Sequence, residues 1–232
     1  MQSKKSNWNS SVLKQWNHNA ADWHSRSENM WESGSRKTVL PLFTKLVRPE
    51  SGAVLDAGCG DGYGSWKLAV QGYTVTGVDL SEEMVELARE RFQPQLALSF
   101  DTGDVTQLPY HSSSFAGILA INVIEWTESP LYTLHELSRL LKPGGVLLLG
   151  ILGPTAAPRT HSYRRLYGEP TIQNTLMPWE ASQLALENGF ELIVEQPVYK
   201  EGVTPELAEH LSLELQQALS FLTLLALRKV SS

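Results

Sequence analysis

The stretch AVLDAGCGDGYGSW at residues 53–66 constrains the fold of this chain more than any other part of it. An apolar run ends at the acid Asp56, and three closely spaced glycines then lead into an amphipathic segment. Glycine permits the tight turn that joins a buried strand to a helix, and it lets a ligand approach the backbone. The pattern therefore predicts a strand–turn–helix unit of the kind that binds nucleotides.

Strand-like and helix-like stretches alternate through the rest of the chain. The runs FAGILAI and VLLLGIL are apolar without alternation, which is typical of parallel strands covered on both faces. The alternation predicts a doubly wound α/β sheet, with ligands at the carboxyl ends of the strands. The predicted strands are 53–58, 74–80, 96–104, 115–124, 145–152, 191–200 and 220–229, the last antiparallel to its predecessor, and the predicted helices are 63–72, 81–92, 129–141, 178–190 and 203–219.

Composition excludes several classes of protein. The chain has 232 residues, 42% of them hydrophobic, which suffices for one large domain. A net charge of -6 speaks against a nucleic-acid partner, and a single cysteine excludes an internal disulfide or a zinc site of several thiolates. The longest apolar runs are far shorter than the ~20 residues of a membrane helix. We expect a cytoplasmic protein with no membrane insertion and, because its six histidines lack H-x-x-x-H spacing, no metal.

The glycine spacing discriminates between nucleotides. The dinucleotide pattern G-x-G-x-x-G fails because its third position falls on Tyr63, and no Gly-Lys-Ser/Thr of a phosphate loop exists. Asp61 lies in the turn where a pyrophosphate would sit, and Asp56 precedes the first glycine, so we expect an anion to be repelled. A phosphate-free, cationic nucleoside suits this turn, and S-adenosylmethionine is such a ligand.

Polar residues at the ends of the next three strands agree with that ligand. Asp79, about twenty residues after the glycines, can accept hydrogen bonds from both ribose hydroxyls. Asp104 can accept from the adenine amino group while the backbone N–H of Val105 faces a ring nitrogen. Asn122 ends the fourth strand, beneath the methionine part.

Five motifs in order, VLDAGCGDG, TGVDLS, SFDTGDVTQLP, FAGILAINVIEW and LKPGGVLLLG, resemble those of class I S-adenosylmethionine-dependent methyltransferases. The chain looks most like the bacterial small-molecule branch related to quinone-biosynthesis C-methyltransferases, over roughly residues 36–152. The resemblance implies a Rossmann-like sheet of order 3-2-1-4-5-7-6 with the last strand antiparallel, and S-adenosylhomocysteine as product. It also implies that the cofactor is contacted by Asp56, Gly58, Cys59, Gly60, Asp79, Leu80, Gly103, Asp104, Val105 and Asn122.

Two of those residues have plainer interpretations. Asp56 can instead cap the turn by accepting hydrogen bonds from local N–H groups, and both roles can coexist. Cys59 is read as a small buried side chain rather than a nucleophile, because a thiol inside a glycine turn has no histidine near it in sequence.

Residues 1–50 are predicted to form a helical cap on a methyltransferase domain at 51–232. Four of the seven tryptophans fall in the first 31 residues, and Trp16 and Trp23 share a helical face with Leu13, Ala20 and Ser27. This face either packs on the core or forms a lid over the cofactor. By resemblance, Arg36 meets the methionine carboxylate, because an arginine fork matches a carboxylate.

Residues 153–177 are rich in Pro, Gly, Arg and Tyr and are predicted to be an insertion that covers the acceptor. Tyr163 and Arg165 would suit an aromatic or anionic small molecule. Direct in-line transfer of the methyl group needs mainly alignment and exclusion of water. An acceptor that requires a base has five candidates, which the sequence does not rank: Glu125, Glu128, His18, His24 and His161.

Two other functions stay open at this point. An NAD-dependent oxidoreductase would need a pyrophosphate at the glycine turn, and Tyr63 and Asp61 count against it. A binding module that holds the cofactor without turnover is the other alternative. It would be indicated by the loss of motif acids such as Asp56, Asp79 and Asp104, but all of them are present. The sequence therefore favours methyl transfer to a small-molecule acceptor.

Overall fold

The computed structural model describes residues 2–230, with side chains from Trp8 onward except that of His161. The strands are β1 (Val54–Ala57), β2 (Val75–Asp79), β3 (Leu98–Thr102), β4 (Phe115–Ile121), β5 (Leu141–Leu152), β6 (Phe190–Tyr199) and β7 (Ser220–Lys229). The helices are α1 (Gln2–Glu32), α2 (Val39–Leu46), α3 (Tyr63–Val70), α4 (Glu82–Arg89), α5 (Pro130–Leu140), α6 (Pro178–Glu187), α7 (Pro205–Ala208) and α8 (Leu213–Ala218).

The seven strands form one sheet in the order β3-β2-β1-β4-β5-β7-β6. β1 pairs in parallel with β2 and β4, β2 with β3, and β4 with β5, whereas β7 runs antiparallel to β5 and β6. The predicted fold class, strand order and antiparallel last strand are therefore confirmed. The order reverses between β1 and β4, which is where open α/β sheets bind ligands.

Two apolar layers cover the sheet. One contains Phe43 of α2, Leu68 of α3 and Val85 of α4, and the other contains Leu137 of α5 and Ala185 of α6. Every residue of β4 is buried, as the unalternating apolar run predicts. Because both faces of the central strands are covered by helices, the strand ends are the part of the sheet left for a ligand.

Helix boundaries follow ordinary capping chemistry. Ser81 accepts a hydrogen bond from the Met84 N–H at the start of α4, and Ser129 accepts one from the Tyr132 N–H at the start of α5. A serine oxygen satisfies one of the N–H groups that the first helical turn leaves unpaired. The predicted starts of both helices are therefore correct to within a residue.

Several elements differ from the predictions, and β5, predicted at 145–152, already begins at Leu141. The single helix predicted at 203–219 is wrong: α7 and α8 are separate because Ser212 is extended (φ -60°, ψ 158°), and serine favours helix ends over interiors. The strand predicted at 115–124 ends at Ile121, and a 3-10 helix spans Ile124–Trp126. Another 3-10 helix, Ala157–Tyr167, runs through the predicted insertion. No helix within residues 2–230 is long and apolar enough to cross a membrane.

Candidate functional site

A cavity lies at the carboxyl ends of β1, β2 and β4 and is covered by α1. We call it the strand-end cavity. Of the residues predicted to contact a cofactor, Asp56, Cys59 and Gly103 are not in its lining. The lining consists of Asn9, Val12, Trp16, Trp23, Arg36, Gly58, Gly60, Asp79, Leu80, Met84, Asp104, Val105, Ile121, Asn122, Val123, Trp126 and Thr127.

The glycine turn after β1 needs glycine for conformational and steric reasons. Gly58 has a φ of 72°, and a Cβ at this position would lie 2.3 Å from Cγ2 of Val123. The backbone N–H groups of Gly58 and Cys59 both donate to the carbonyl of Val78, at 2.7 and 2.9 Å, which fixes the turn against β2. A Cβ on Gly60 would lie 3.1 Å from Nε1 of Trp23, so this glycine allows α1 to approach the turn.

Asp79, the last residue of β2, is held by two backbone donors. Its Oδ2 accepts from the Gly60 N–H at 2.8 Å and its Oδ1 accepts from the Ser81 N–H at 2.9 Å. Burial raises the pKa of Asp79, and these hydrogen bonds oppose the rise. A carboxylate offers about four lone-pair sites, so two fixed donors leave it able to accept a diol as well.

Asp104, after β3, is reached by the N-terminal helix. Its Oδ1 accepts from the N–H and the hydroxyl of Thr106, both at 2.8 Å, while its Oδ2 accepts from Nδ2 of Asn9 at 2.6 Å. The amide of Asn9 thus makes the hydrogen bond that the sequence argument gave to an adenine amino group. A nucleoside bound here would take over that donor's place.

Arg36 brings a buried positive charge to the same cavity. Its guanidinium lies 4.5 Å from the ring centre of Trp23 and 5.4 Å from that of Trp31, and its Nη2 lies 3.4 Å from Oδ1 of Asn122. Burial lowers the pKa of Arg36 to about 10, and the carboxylates of Asp56, Asp61 and Glu125 act in the opposite direction. The group stays charged at neutral pH.

Asn122 adopts an uncommon backbone conformation, with a φ of 58°. Asparagine tolerates the left-handed region better than most residues, and strained backbone clusters at ligand sites. The Asn122 N–H donates to the Gly150 carbonyl at 2.8 Å, which fixes the strained turn at the end of β4.

Comparisons with known proteins agree with this geometry. Residues 55–149 match the methyltransferase domain family. The chain is 40% identical over 99 residues to a malonyl-acyl-carrier-protein O-methyltransferase of Erwinia pyrifoliae (43% of this chain, 37% of the relative). It is 31% identical over 151 residues to the enzyme of that name from Enterobacter lignolyticus (65% of this chain, 59% of the relative). This chain carries a methyltransferase domain over residues 55–149.

The fold comparison extends beyond the matched region. A chain from the solved complex of the Haloferax volcanii Trm112 methyltransferase activator with a methyltransferase aligns with a TM-score of 0.70 at 23% identity, covering 94% of this chain and 98% of that one. At this identity the likeness concerns the fold alone. This chain spans only 37% and 59% of the length of the two relatives above.

The residues of the methyltransferase domain fit S-adenosylmethionine. The strand-end cavity offers carboxylates for hydroxyl and amino groups, and it offers the Arg36 guanidinium for a carboxylate. Trp16 and Trp23, on the helical face noticed in the sequence, line it. Asn9, Met84 and Trp126 also line it and were not predicted, because no spacing rule connects them to the strand ends.

Asp56 lies beneath the strand-end cavity rather than in its wall. It is buried, and its Oδ2 accepts from the Ser65 hydroxyl at 2.6 Å. Burial raises the pKa of Asp56 to about 6. The contact to Ser65 ties β1 to α3 through a hydroxyl group and not through the local N–H groups of the turn-capping interpretation.

Asp61 does not act as the free negative charge that the sequence argument assumed. It is buried, and it accepts from the Ser27 hydroxyl at 2.7 Å and from Nη2 of Arg91 at 2.6 Å. Its Oδ2 also lies 2.8 Å from Nδ1 of His24. Asp61 therefore anchors α1 to the domain, and its charge is compensated before any ligand binds.

A larger cavity lies between α1 and the segment 157–173, and we call it the helix–loop cavity. Its volume is about 870 Å³, against about 90 Å³ for the strand-end cavity, and the two share Trp16, Trp23 and Trp126. Tyr163 and Arg165, predicted to meet the acceptor, are not in its lining. Tyr163 is exposed and bonds through its hydroxyl to Tyr167, and Arg165 donates to the carbonyl of Ser162.

None of the described candidate bases lines either cavity. Glu125 is buried, and its Oε1 accepts from the Leu152 N–H at 2.7 Å. His18 and Glu128 are exposed, His24 pairs with Asp61, and the side chain of His161 lies outside the described residues. Cys59 is buried, and burial raises the pKa of its thiol, which disfavours the reactive thiolate. The described side chains hold no group of three or more His, Cys, Asp or Glu placed for a metal ion.

Proposed function

We propose that the chain transfers a methyl group from S-adenosylmethionine, bound in the strand-end cavity, to a small-molecule acceptor, with S-adenosylhomocysteine as product and no metal. The observation that supports this most strongly is the convergence of Asp79, Asp104, Asn122 and Arg36 on one cavity at the point where the strand order reverses. The quinone-related branch and a cytoplasmic location stay predictions from the sequence.

The chain's own residues have distinct roles in this proposal. Asp79 accepts from the ribose hydroxyls, Asp104 and the Val105 N–H bind the adenine edge, and Arg36 binds the carboxylate of the amino-acid tail. S-adenosylmethionine would supply an electrophilic methyl group on a sulfonium. Buried carboxylates near that cation favour its binding, and the tryptophans of α1 exclude water from the methyl group.

Binding requires α1 to yield. Small-molecule sites have volumes of about 300–1,000 Å³, whereas the strand-end cavity has about 90 Å³ because side chains of α1 fill it. Asn9 is bonded to Asp104, and the Trp8 indole N–H donates to the Trp126 carbonyl at 2.8 Å. We propose that the turns of α1 around Trp8 and Asn9 move aside when the cofactor enters and close over it afterwards.

No described residue is assigned as a general base. In-line transfer to an acceptor that is already nucleophilic requires alignment, which contributes most of the rate when reacting atoms are held in place. The proposal therefore places catalysis in positioning and in exclusion of water.

Calorimetric titration with S-adenosylhomocysteine tests the proposal directly. Asp79→Asn should weaken binding by about 1–3 kcal/mol, because hydrogen bonds from the ribose to a charged acceptor are lost. Asp101→Asn makes the same change on the neighbouring strand, where the carboxylate is exposed and accepts from Tyr110, and should leave binding unchanged. Melting temperatures of both variants show whether the turn around Gly60 stays folded.

The same titration discriminates among the functions left open. Binding of NAD in preference to S-adenosylhomocysteine would reject the proposal and favour an oxidoreductase. Binding of S-adenosylmethionine without methyl transfer to any acceptor, including a malonyl thioester, would favour a module that only holds the cofactor.

A further inference from the structure

Gln173 is a buried residue whose polar atoms have no partner. It is 3% exposed and lines the helix–loop cavity, and neither Oε1 nor Nε2 makes a hydrogen bond. A buried amide without partners costs folding free energy that an apolar side chain of similar size would not cost. A ligand that reached this amide would satisfy both atoms.

The position of Gln173 is fixed by its neighbour. Nδ2 of Asn174 donates to the carbonyls of Ile124 and Thr127, both at 2.7 Å, and the Asn174 N–H donates to the Glu125 carbonyl at 2.9 Å. These bonds attach the segment to the 3-10 helix that follows β4. The backbone beside Gln173 is therefore held rigidly at the cavity wall, and a rotation of the side chain would bring its buried amide to a ligand there.

The wall near Gln173 is aromatic. Trp16 lies edge-to-face with Trp23 at 5.5 Å and with Trp126 at 5.2 Å between ring centres, and all three line both cavities. Nε1 of Trp126 is buried and has no hydrogen-bond partner. A planar group packed on these rings would lie where the two cavities meet, next to the proposed methyl donor.

The charged residues of the helix–loop cavity are already paired. Arg26 forms an ion pair with Asp22, and Arg164 forms one with Glu169. Among the described lining residues, no further lysine, arginine, aspartate or glutamate is present. A charged acceptor would have to break one of these pairs, whereas a neutral one would not.

We infer that Gln173 selects the acceptor, and that the acceptor is an uncharged planar molecule carrying a group that both donates and accepts hydrogen bonds, such as a carboxamide or lactam. This inference rests on the proposed function and makes it more specific. Of the aromatic and anionic acceptors that Tyr163 and Arg165 indicate in the sequence, it keeps the aromatic alternative and departs from the anionic one.

Three probes with one skeleton test the inference on the full chain saturated with S-adenosylhomocysteine. They are 2-naphthamide, 2-naphthoate and 2-naphthylmethylammonium, and their dissociation constants are measured by ligand-observed NMR titration. We expect the amide to bind about tenfold more tightly than either charged probe, and Gln173→Leu to weaken the amide about tenfold. Gln71→Leu changes an exposed glutamine outside the cavity and should have no effect.

Thermal unfolding separates recognition from a structural role. If Gln173 serves only to bind the ligand, the melting temperature of Gln173→Leu should equal or exceed that of the wild type, because two unpaired buried polar atoms are removed. Gln173→Met, which keeps the length of the side chain, repeats the test with a different packing. A lower melting temperature in both variants would assign Gln173 to the fold and overturn the inference.

The remaining outcomes are also decisive. Equal affinity for the amide and the carboxylate, no binding of the amide, or an unchanged amide affinity in Gln173→Leu would each overturn the inference. Calorimetry with S-adenosylhomocysteine on the same samples distinguishes the two levels. If S-adenosylhomocysteine binds and the probes fail, only the acceptor assignment is lost; if it does not bind, the proposed function is lost.

Discussion

The two cavities of this domain are built in different ways. The strand-end cavity takes Asp79, Asp104 and Asn122 from the ends of consecutive strands, and Asp79 and Asn122 are fixed there by backbone hydrogen bonds. Apart from Trp126 and Phe221, the residues of the helix–loop cavity come from α1 and from the segment 157–173, which contribute no strand. Sheet architecture thus dictates the first cavity, whereas the second depends on how two peripheral segments pack. Cofactor binding can therefore stay constant in this fold while acceptor recognition varies.

The largest effect is expected from a substitution in the rigid glycine turn of the strand-end cavity. Gly58→Ala should lower the free energy of unfolding by about 2–5 kcal/mol, because the left-handed backbone disfavours a Cβ and the new methyl group meets Val123. Gly168→Ala, at a similar φ of 76° but with nothing within 4 Å of the added Cβ, should cost only about 1–2 kcal/mol. Urea denaturation of both variants measures the difference.

A double variant identifies the cause. If steric contact dominates, Gly58→Ala combined with Val123→Ala should recover part of the loss, and the cost that remains should approach that of Gly168→Ala. Equal losses in the two glycine variants would contradict the view that the strand-end turn is the more tightly constrained region.

The same difference explains what the sequence can predict. Strand ends follow from apolar runs and turns, so Asp79, Asp104 and Asn122 are identified from their positions, whereas the sheet order is implied only by the family resemblance. Asp61 was misjudged because its partners, Arg91 and His24, lie 30 and 37 residues away in sequence. Gln173 carries no pattern at all, and only the packing of the segment 157–173 shows that it is buried without partners.

The next largest effect is expected from removing the positive charge of Arg36 from the strand-end cavity. Arg36→Met should weaken S-adenosylhomocysteine by about 10- to 100-fold, because hydrogen bonds from a charged donor to the tail carboxylate are lost. Methylthioadenosine has no such carboxylate, so its affinity should not change. Arg165→Met removes an exposed arginine outside both cavities and should leave both ligands unaffected.

Calorimetry with the two ligands on the three proteins gives the answer. A loss of methylthioadenosine affinity equal to that of S-adenosylhomocysteine would mean that Arg36 supports the cavity through Trp23 and Trp31 instead of binding the tail. A loss in Arg165→Met would return that arginine to the candidate site residues.

The smallest effect concerns the acid beneath the strand-end cavity. The pKa of Asp56 is raised to about 6 in the folded chain by burial, so between pH 4 and 6 the folded state binds more protons than the unfolded state. This group therefore favours folding at low pH, and its contribution is lost as the pH rises, by about 1–2 kcal/mol between pH 4.5 and 7. The Asp56→Asn side chain does not titrate, and its amide oxygen can still accept the hydrogen bond from Ser65. The unfolding free energy of the variant relative to that of the wild type should therefore increase as the pH rises from 4.5 to 7. Asp101→Asn, which changes an exposed carboxylate, is the matched control in urea denaturation and should not reproduce this difference.

A bound ligand tests whether Asp56 responds to the charge of the cofactor. S-adenosylmethionine should reduce the pH dependence of the wild-type unfolding free energy more than S-adenosylhomocysteine does, because only S-adenosylmethionine brings a cation near the Asp56 carboxylate. An equal effect of the two ligands would mean that Asp56 does not respond to the ligand charge.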